Sequence, residues 1–179
     1  AEKQSPQTKS SIVMGPWYHG QWSSEGSFLG NARFSSNTSD YYQQNIEVPF
    51  FNYHLKGKGS VSEIAEANIF FTGENNWKKL KQWPPAEVEN KSMFIGADGK
   101  LSFTQMNSGT AFTEYVSDPS HPVPYTEDVH NRRTREYMTD DQRFAERRAD
   151  VLTFKTPILE NDLTLAGPVI ADIATAIST

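Results

Sequence analysis

The stretch SIVMGPWYHG, Ser11 to Gly20, decides how this chain is read. Ile12, Val13 and Met14 form a short apolar run of the kind that makes a buried strand, and Gly15-Pro16 stops it, because proline has no N–H with which to continue a ladder. In open α/β sheets ligands sit outside the carboxyl ends of the parallel strands, so the residues after this run, ending at His19, fall at a working edge. An imidazole with an ordinary pKa of about 6.5 serves as a general base when a nucleophile and an orienting carboxylate stand beside it. The plainer alternative is a loop histidine packed between Trp17 and Trp22.

Composition bounds what the rest can be. A chain of 179 residues is one ordinary domain or parts of two. With 36% hydrophobic and 12% aromatic residues it has enough apolar side chain to fold, which argues against disorder. A net charge of -5 gives no electrostatic reason to expect nucleic acid or an anionic membrane as partner. There is no cysteine, which rules out disulfides, thiolate catalysis and cysteine-ligated metals. No run approaches the ~20 apolar residues of a membrane span. The opening AEKQSPQ lacks the apolar core of a signal peptide, although export is not thereby excluded.

Upstream of the strand, residues 1–10 read as a polar surface connection. Downstream, residues 21–40 are dense in Gly, Ser and Asn, with Phe28, Leu29 and Phe34 as isolated anchors, and form a long loop of the sort that often carries function. The triplets at Asn37 and Asn90 match the glycosylation acceptor pattern and are assigned nothing. Residues 40–55 show helical spacing, interrupted at Pro49 and ended by KGKG. His54 in that helix reads as a core or boundary residue.

Beyond Ser60 the pattern turns to short alternating runs, which reads as a domain boundary followed by an all-β sandwich. Strands are expected at 67–72, 77–83, 92–95, 101–103 and 113–116, and again at 151–154, 163–165 and 169–177, with turns at 73–76 and 97–100. Between them, residues 132–148 interleave six arginines with four acids, the pattern of an ion-paired solvated segment rather than a nucleic-acid patch.

Several motifs in one order carry a resemblance that composition does not supply. They are GPWYHG at 15–20, PFFNYHLKG at 49–57, TGENNW at 72–77, WPP at 83–85, YVSDPSHPVPY at 115–125, DDQRF at 140–144 and RADVLTFKTPIL at 148–159. In these the chain resembles the C-terminal half of the α-amino-acid ester hydrolase and cocaine esterase family, close to the glutaryl-cephalosporin acylases and more distantly similar to the X-prolyl dipeptidyl peptidases.

That resemblance implies the C-terminal piece of an α/β-hydrolase (last sheet strand, catalytic histidine loop and covering helix, residues 1–60), followed by an incomplete all-β jelly-roll sandwich at 61–179. It implies a serine hydrolase cleaving esters or amides through an acyl-enzyme, with the histidine last in the chain order of the triad. His19 matches that histidine. Tyr137 and Met138 match residues that reach toward the acyl pocket, with packing between domains as the alternative; Trp17 and Trp22 would line the leaving-group side or simply pack under the loop. Asp141, Gln142 and Arg143 are expected to tie the following strand to the domain interface.

No Gly-x-Ser-x-Gly elbow occurs in the chain, so the resemblance places the nucleophile and the triad aspartate in an upstream part of the same enzyme. No metal or organic cofactor is implied; a small ester or amide substrate is, and a homo-oligomer and a periplasmic or secreted bacterial setting are compatible with it. The competing reading is a non-catalytic jelly-roll module that binds carbohydrate or protein.

Overall fold

The computed structural model describes residues 3–106 and 112–178. The first strand, β1 (Ile12–Met14), is a three-residue run as expected. The chain then turns at 17–21 and makes a small antiparallel hairpin, β2 (Phe28–Leu29) and β3 (Ala32–Arg33), closed by a two-residue loop in which Gly30 has φ 55.

A helical stretch follows from Thr38 to Lys56: α1 (Thr38–Tyr42), a π-helical turn at Gln43–Glu47, and α2 (Val48–Lys56). Asn37 caps its start, accepting from the backbone N–H of Ser39 and Asp40. The expected interruption at Pro49 takes the form of that wider turn just before it, which accommodates a residue lacking the N–H and crowding the preceding turn. Gly57, with φ 62, ends the helix as a left-handed cap.

Strands β4 (Ala67–Phe71) and β5 (Asn76–Leu80) form an antiparallel hairpin in which Phe70 lies opposite Trp77. β4 also pairs in parallel with β1, Ile12 opposite Ala67 and Met14 opposite Ile69, so the sheet order is β1-β4-β5. A parallel pair needs a long crossover, and the hairpin and helix between residues 15 and 66 supply it. The parallel β1 and its crossover helix agree with an open α/β arrangement, but three strands do not by themselves specify an α/β-hydrolase.

Two expectations change here. The buried strand is β4, whose Ala67, Ile69 and Phe70 are all but inaccessible, while Met14 at the end of β1 is 51% exposed. A central strand is covered by neighbours on both sides, whereas β1 has one among the described residues. The expected division at residue 60 also falls within a single sheet, because β4 and β5 are the second and third strands of the sheet that β1 begins.

The core is aromatic and centred on Trp77. Phe70 meets it at 5.5 Å, Tyr41 stacks on it at 5.5 Å, and Trp17 lies 5.6 Å away and touches Tyr42 at 5.2 Å. Phe34 completes the set against Phe70. These contacts join sheet, helix and loop, each pair adding about 1 kcal/mol beyond simple burial.

The remainder is sparser in regular structure. β6 (Phe94–Ile95) and β7 (Leu101–Ser102) make the expected hairpin, with Gly99 at φ 70 in its turn. Lys155 adds a single parallel bridge at Lys100. Residues 113–116, 163–165 and 169–177 form no strand, and 151–154 contribute only that neighbouring bridge, so a jelly-roll sandwich is not formed among the described residues. A strand needs a neighbour for its N–H and C=O groups, and these runs have none there. Their side chains are correspondingly open: Val116, Val169, Ile170 and Ile177 are each more than 80% exposed.

The segment after Gln142 is a short helix, α3 (Arg143–Glu146). Arg143 binds Asp141 through its guanidinium and its backbone N–H, so the pair fastens the start of α3 locally rather than tying a strand to an interface. That bonding holds the Asp141 carboxyl down at about 2. Arg148 binds Asp150 and reaches the His121 carbonyl, and Lys155 binds Glu146, as expected of an ion-paired segment.

Candidate functional site around His19

The loop after β1 is a built turn. Gln21 N–H donates to the Tyr18 carbonyl at 3.1 Å, and Gly20 has φ 85 and ψ -7, the third-position conformation of a type II turn. Only glycine takes that conformation without strain, and it leaves His19 at the tip of the turn. The Gln21 side chain closes the turn from the other side, its Oε1 accepting from Tyr18 N–H at 3.3 Å. Its Nε2 donates to the carbonyls of Glu25 (3.0 Å) and Phe28 (2.6 Å), so this fully buried amide ties the turn to the following hairpin.

The flanks are anchored in the aromatic core. Trp17 Nε1 donates to Thr38 Oγ1 at 2.8 Å, and Thr38 Oγ1 donates to the Gly26 carbonyl at 2.6 Å. Ser39 Oγ donates to the Gln21 carbonyl, and Gln43 Nε2 donates to that of Trp22. Thr38 and Ser39, at the start of the helix, are completely buried beneath the loop.

His19 itself is exposed and meets the ring of Trp22 edge-on at 5.4 Å. Among the described residues its imidazole makes no hydrogen bond or ion pair. It is therefore not packed between Trp17 and Trp22, since Trp17 turns inward to Trp77 and Tyr42. His19 borders a cavity of about 440 Å³ whose other walls are Val13, Met14, Gly15, Trp17, Tyr18, Trp22 and Tyr42. Burial and the neighbouring Glu47 carboxylate raise the Tyr42 phenol above its ordinary pKa, and it donates to Glu47 at 3.3 Å.

A second cavity, of about 630 Å³, lies at the carboxyl end of β4, lined among others by Met14, Phe71, Glu74, Trp83, Asp162 and Leu165. It has no imidazole in its wall, and its ionisable side chains are the carboxylates of Glu74 and Asp162. Among the described residues no cluster of three or more metal-ligating side chains occurs, and no helix is long and apolar enough to cross a membrane.

The structure brings Trp17 and Trp22 to His19. Tyr137 and Met138 are not in the wall of that cavity; Tyr137 packs edge-on to Tyr125 and binds Arg133, and Met138 is 42% exposed. The residues on either side of them do reach the loop region: the Arg135 guanidinium lies 3.7 Å over the Tyr18 ring, and Thr139 abuts Gly30. His54, expected in the core or at its boundary, is an exposed ring packed against the half-buried Phe50 and Tyr53. Gln21, Thr38, Tyr42 and Arg135 did not stand out in the sequence. The one available signal was Asn37 with Asp40 three residues on, a helix start that fixes Thr38 and Ser39 in the first turn.

The model of the X-Pro dipeptidyl-peptidase C-terminal non-catalytic domain matches residues 55–179. The cocaine esterase of Rhodococcus sp. (strain MB1 Bresler) is 24% identical over 172 residues, covering 89% of this chain and 29% of the esterase. Among solved structures, an aminopeptidase from a marine sediment archaeon, Thaumarchaeota archaeon, is 34% identical with a TM-score of 0.78, over 89% of this chain and 27% of that one. An α-amino acid ester hydrolase is 36% identical with a TM-score of 0.79, over 93% of this chain and 28% of its own.

The chain thus spans less than a third of the length of each of these relatives. His19 lies before the start of the matched family model, whereas Tyr137 and Met138 lie within it. A coverage of 93% cannot be reached without residues before Leu55, so the likeness to the ester hydrolase extends into the His19 half. The chain belongs to the family of X-Pro dipeptidyl-peptidase C-terminal domains, as the C-terminal piece of proteins of the α-amino acid ester hydrolase and cocaine esterase kind.

Proposed function

We propose that this chain is the histidine-bearing C-terminal portion of a serine hydrolase that cleaves esters or amides, with His19 as its general base. The observation that carries the reading is the placement of His19: at the tip of a type II turn, just past the carboxyl end of a parallel strand, facing an aromatic-walled cavity. An esterase, an aminopeptidase and an ester hydrolase, the activities that the relatives' names print, all break acyl bonds.

In this reading a serine and a triad carboxylate come from outside residues 1–179. A ring nitrogen of His19 takes the serine proton as the hydroxyl attacks the carbonyl, then returns it to the departing alcohol or amine; water repeats the cycle on the acyl-enzyme. The exposed imidazole, free of hydrogen bonds among the described residues, leaves both ring nitrogens available for the two partners this requires. Trp17 and Trp22 offer flat apolar walls to the substrate, on the leaving-group side. The resemblance assigns Tyr137 and Met138 to the acyl side; Arg135 and Thr139, which flank them, touch the loop and its hairpin.

The test is hydrolysis of a chromogenic α-amino-acid ester and of a cephalosporin side-chain amide by the full-length protein, alongside His19→Ala. Turnover that falls at least about a hundredfold in the variant supports the reading, the usual range for loss of a general base. A second reading, a non-catalytic module that binds carbohydrate or protein, draws on the non-catalytic description of the family matched at 55–179. Folded protein without turnover in either form leaves that module ahead.

A further inference from the structure

We propose that Arg135 is a positioning residue for His19, acting through the ring of Tyr18; this deepens the hydrolase reading above and rests on it. Tyr18 is the first residue of the turn and His19 its tip, so the orientation of one constrains the other. The residues beneath the turn are fixed by Gln21, Thr38 and the tryptophan core, but the Tyr18 ring is not among those contacts. What covers it is the guanidinium of Arg135, 3.7 Å from the ring centroid.

Two features set this contact apart. Arg143 and Arg148 each bind a carboxylate of their own segment, and Arg133 binds the Tyr137 hydroxyl, whereas the Arg135 side chain has no such partner among the described residues and is spent on the ring. It is also the one hydrogen bond, ion pair or ring contact, among the described residues, that joins residues 17–22 to anything beyond residue 80. Thr139, four residues on, fits against Gly30 in the hairpin beside the loop, so the segment from Arg135 to Thr139 spans the site region at both ends. A planar cation stacked on a tyrosine face restricts the ring to one orientation, and the turn that carries the imidazole moves with it.

The experiment is a double-mutant cycle in the full-length protein, with Arg135→Ala, Tyr18→Leu and the pair, Arg135→Lys as the conservative variant and Arg132→Ala as a control. Expected is a kcat about fivefold lower in Arg135→Ala with KM unchanged, a like loss in Tyr18→Leu and no further loss in the pair; Arg135→Lys recovers part, because its charge still lies over the ring. Independently of turnover, the His19 resonance in ¹³C-histidine-labelled protein, assigned by its absence in His19→Ala, shifts in Arg135→Ala and not in Arg132→Ala. Losses that multiply in the pair, or an unmoved His19 resonance in Arg135→Ala, overturn the proposal. If His19→Ala keeps full turnover the hydrolase reading fails alone, and the resonance still decides whether Arg135 positions the histidine.

Discussion

Gln21→Ala is the substitution that most sharply tests how the His19 turn is held. The side chain is fully buried and makes three hydrogen bonds, to Tyr18 N–H and to the carbonyls of Glu25 and Phe28. At a net ~1 kcal/mol each, their loss costs about 3 kcal/mol. For a folding unit of this size that is a fall in Tm of about 6–12 °C. Gln21→Leu restores most of the volume and none of the bonds, so the two variants should fall together. Gln21→Glu keeps the acceptor for Tyr18 but removes both donors and buries a carboxylate, and should fall further. Thermal unfolding followed by tryptophan fluorescence reads all three, since Trp17 and Trp22 flank the turn. A shift of less than about 2 °C in Gln21→Ala, or a Gln21→Leu protein as stable as the parent, would refute the reasoning, because the amide would then not be what closes the turn.

Three further outcomes follow from the same contacts. Gly30 sits at φ 55 with Thr139 where a Cβ would go, so Gly30→Ala should lose about 2 kcal/mol in urea unfolding and Thr139→Ala should restore the steric part of it. Asn37→Ala removes the cap from Ser39 and Asp40 and the acceptor for Gly26 N–H, a cost of about 1–2 kcal/mol that Asn37→Asp should largely avoid, both read from urea midpoints. The Asp141 carboxyl titrates at about 2 in the folded chain against 3.8 for the free group, so its contribution is complete above about pH 4 and drains away as pH falls toward 2. The stability difference between parent and Asp141→Asn should therefore shrink over that window, and one that persists undiminished at pH 2 contradicts the assignment.

What the sequence made legible is whatever local chemistry dictates. The run Ile12 to Met14 stopped by Gly15-Pro16 became a strand, ADGK became the turn of a hairpin, and KGKG became a helix end with Gly57 in the left-handed conformation. The YHG at 18–20 contains the glycine that a type II turn needs at its third position, which is why the histidine reaches a tip. What stayed hidden depends on partners distant in sequence. Nothing in ANIFF says that β4 is the covered middle strand, or that it pairs back to β1 across the change of periodicity at residue 60. Gln21 looks like any polar loop residue until Glu25 and Phe28 fold back onto it, and Arg135 like one basic residue among several until its guanidinium is seen over Tyr18. The expected strands at 113–116, 163–165 and 169–177 have β-branched or aromatic residues but no neighbour among the described residues, and residue type alone satisfies no backbone hydrogen bond.

The central claim, a serine hydrolase whose general base is His19 and whose nucleophile lies outside these residues, is tested most directly by covalent trapping. The full-length protein would be treated with a fluorophosphonate, digested and mapped by mass spectrometry, with His19→Ala in parallel. The account predicts a single adduct, on a serine outside residues 1–179, formed at least about a hundredfold more slowly in the variant. An adduct on a serine of this chain, equal labelling of both proteins, or no adduct on folded protein would contradict it.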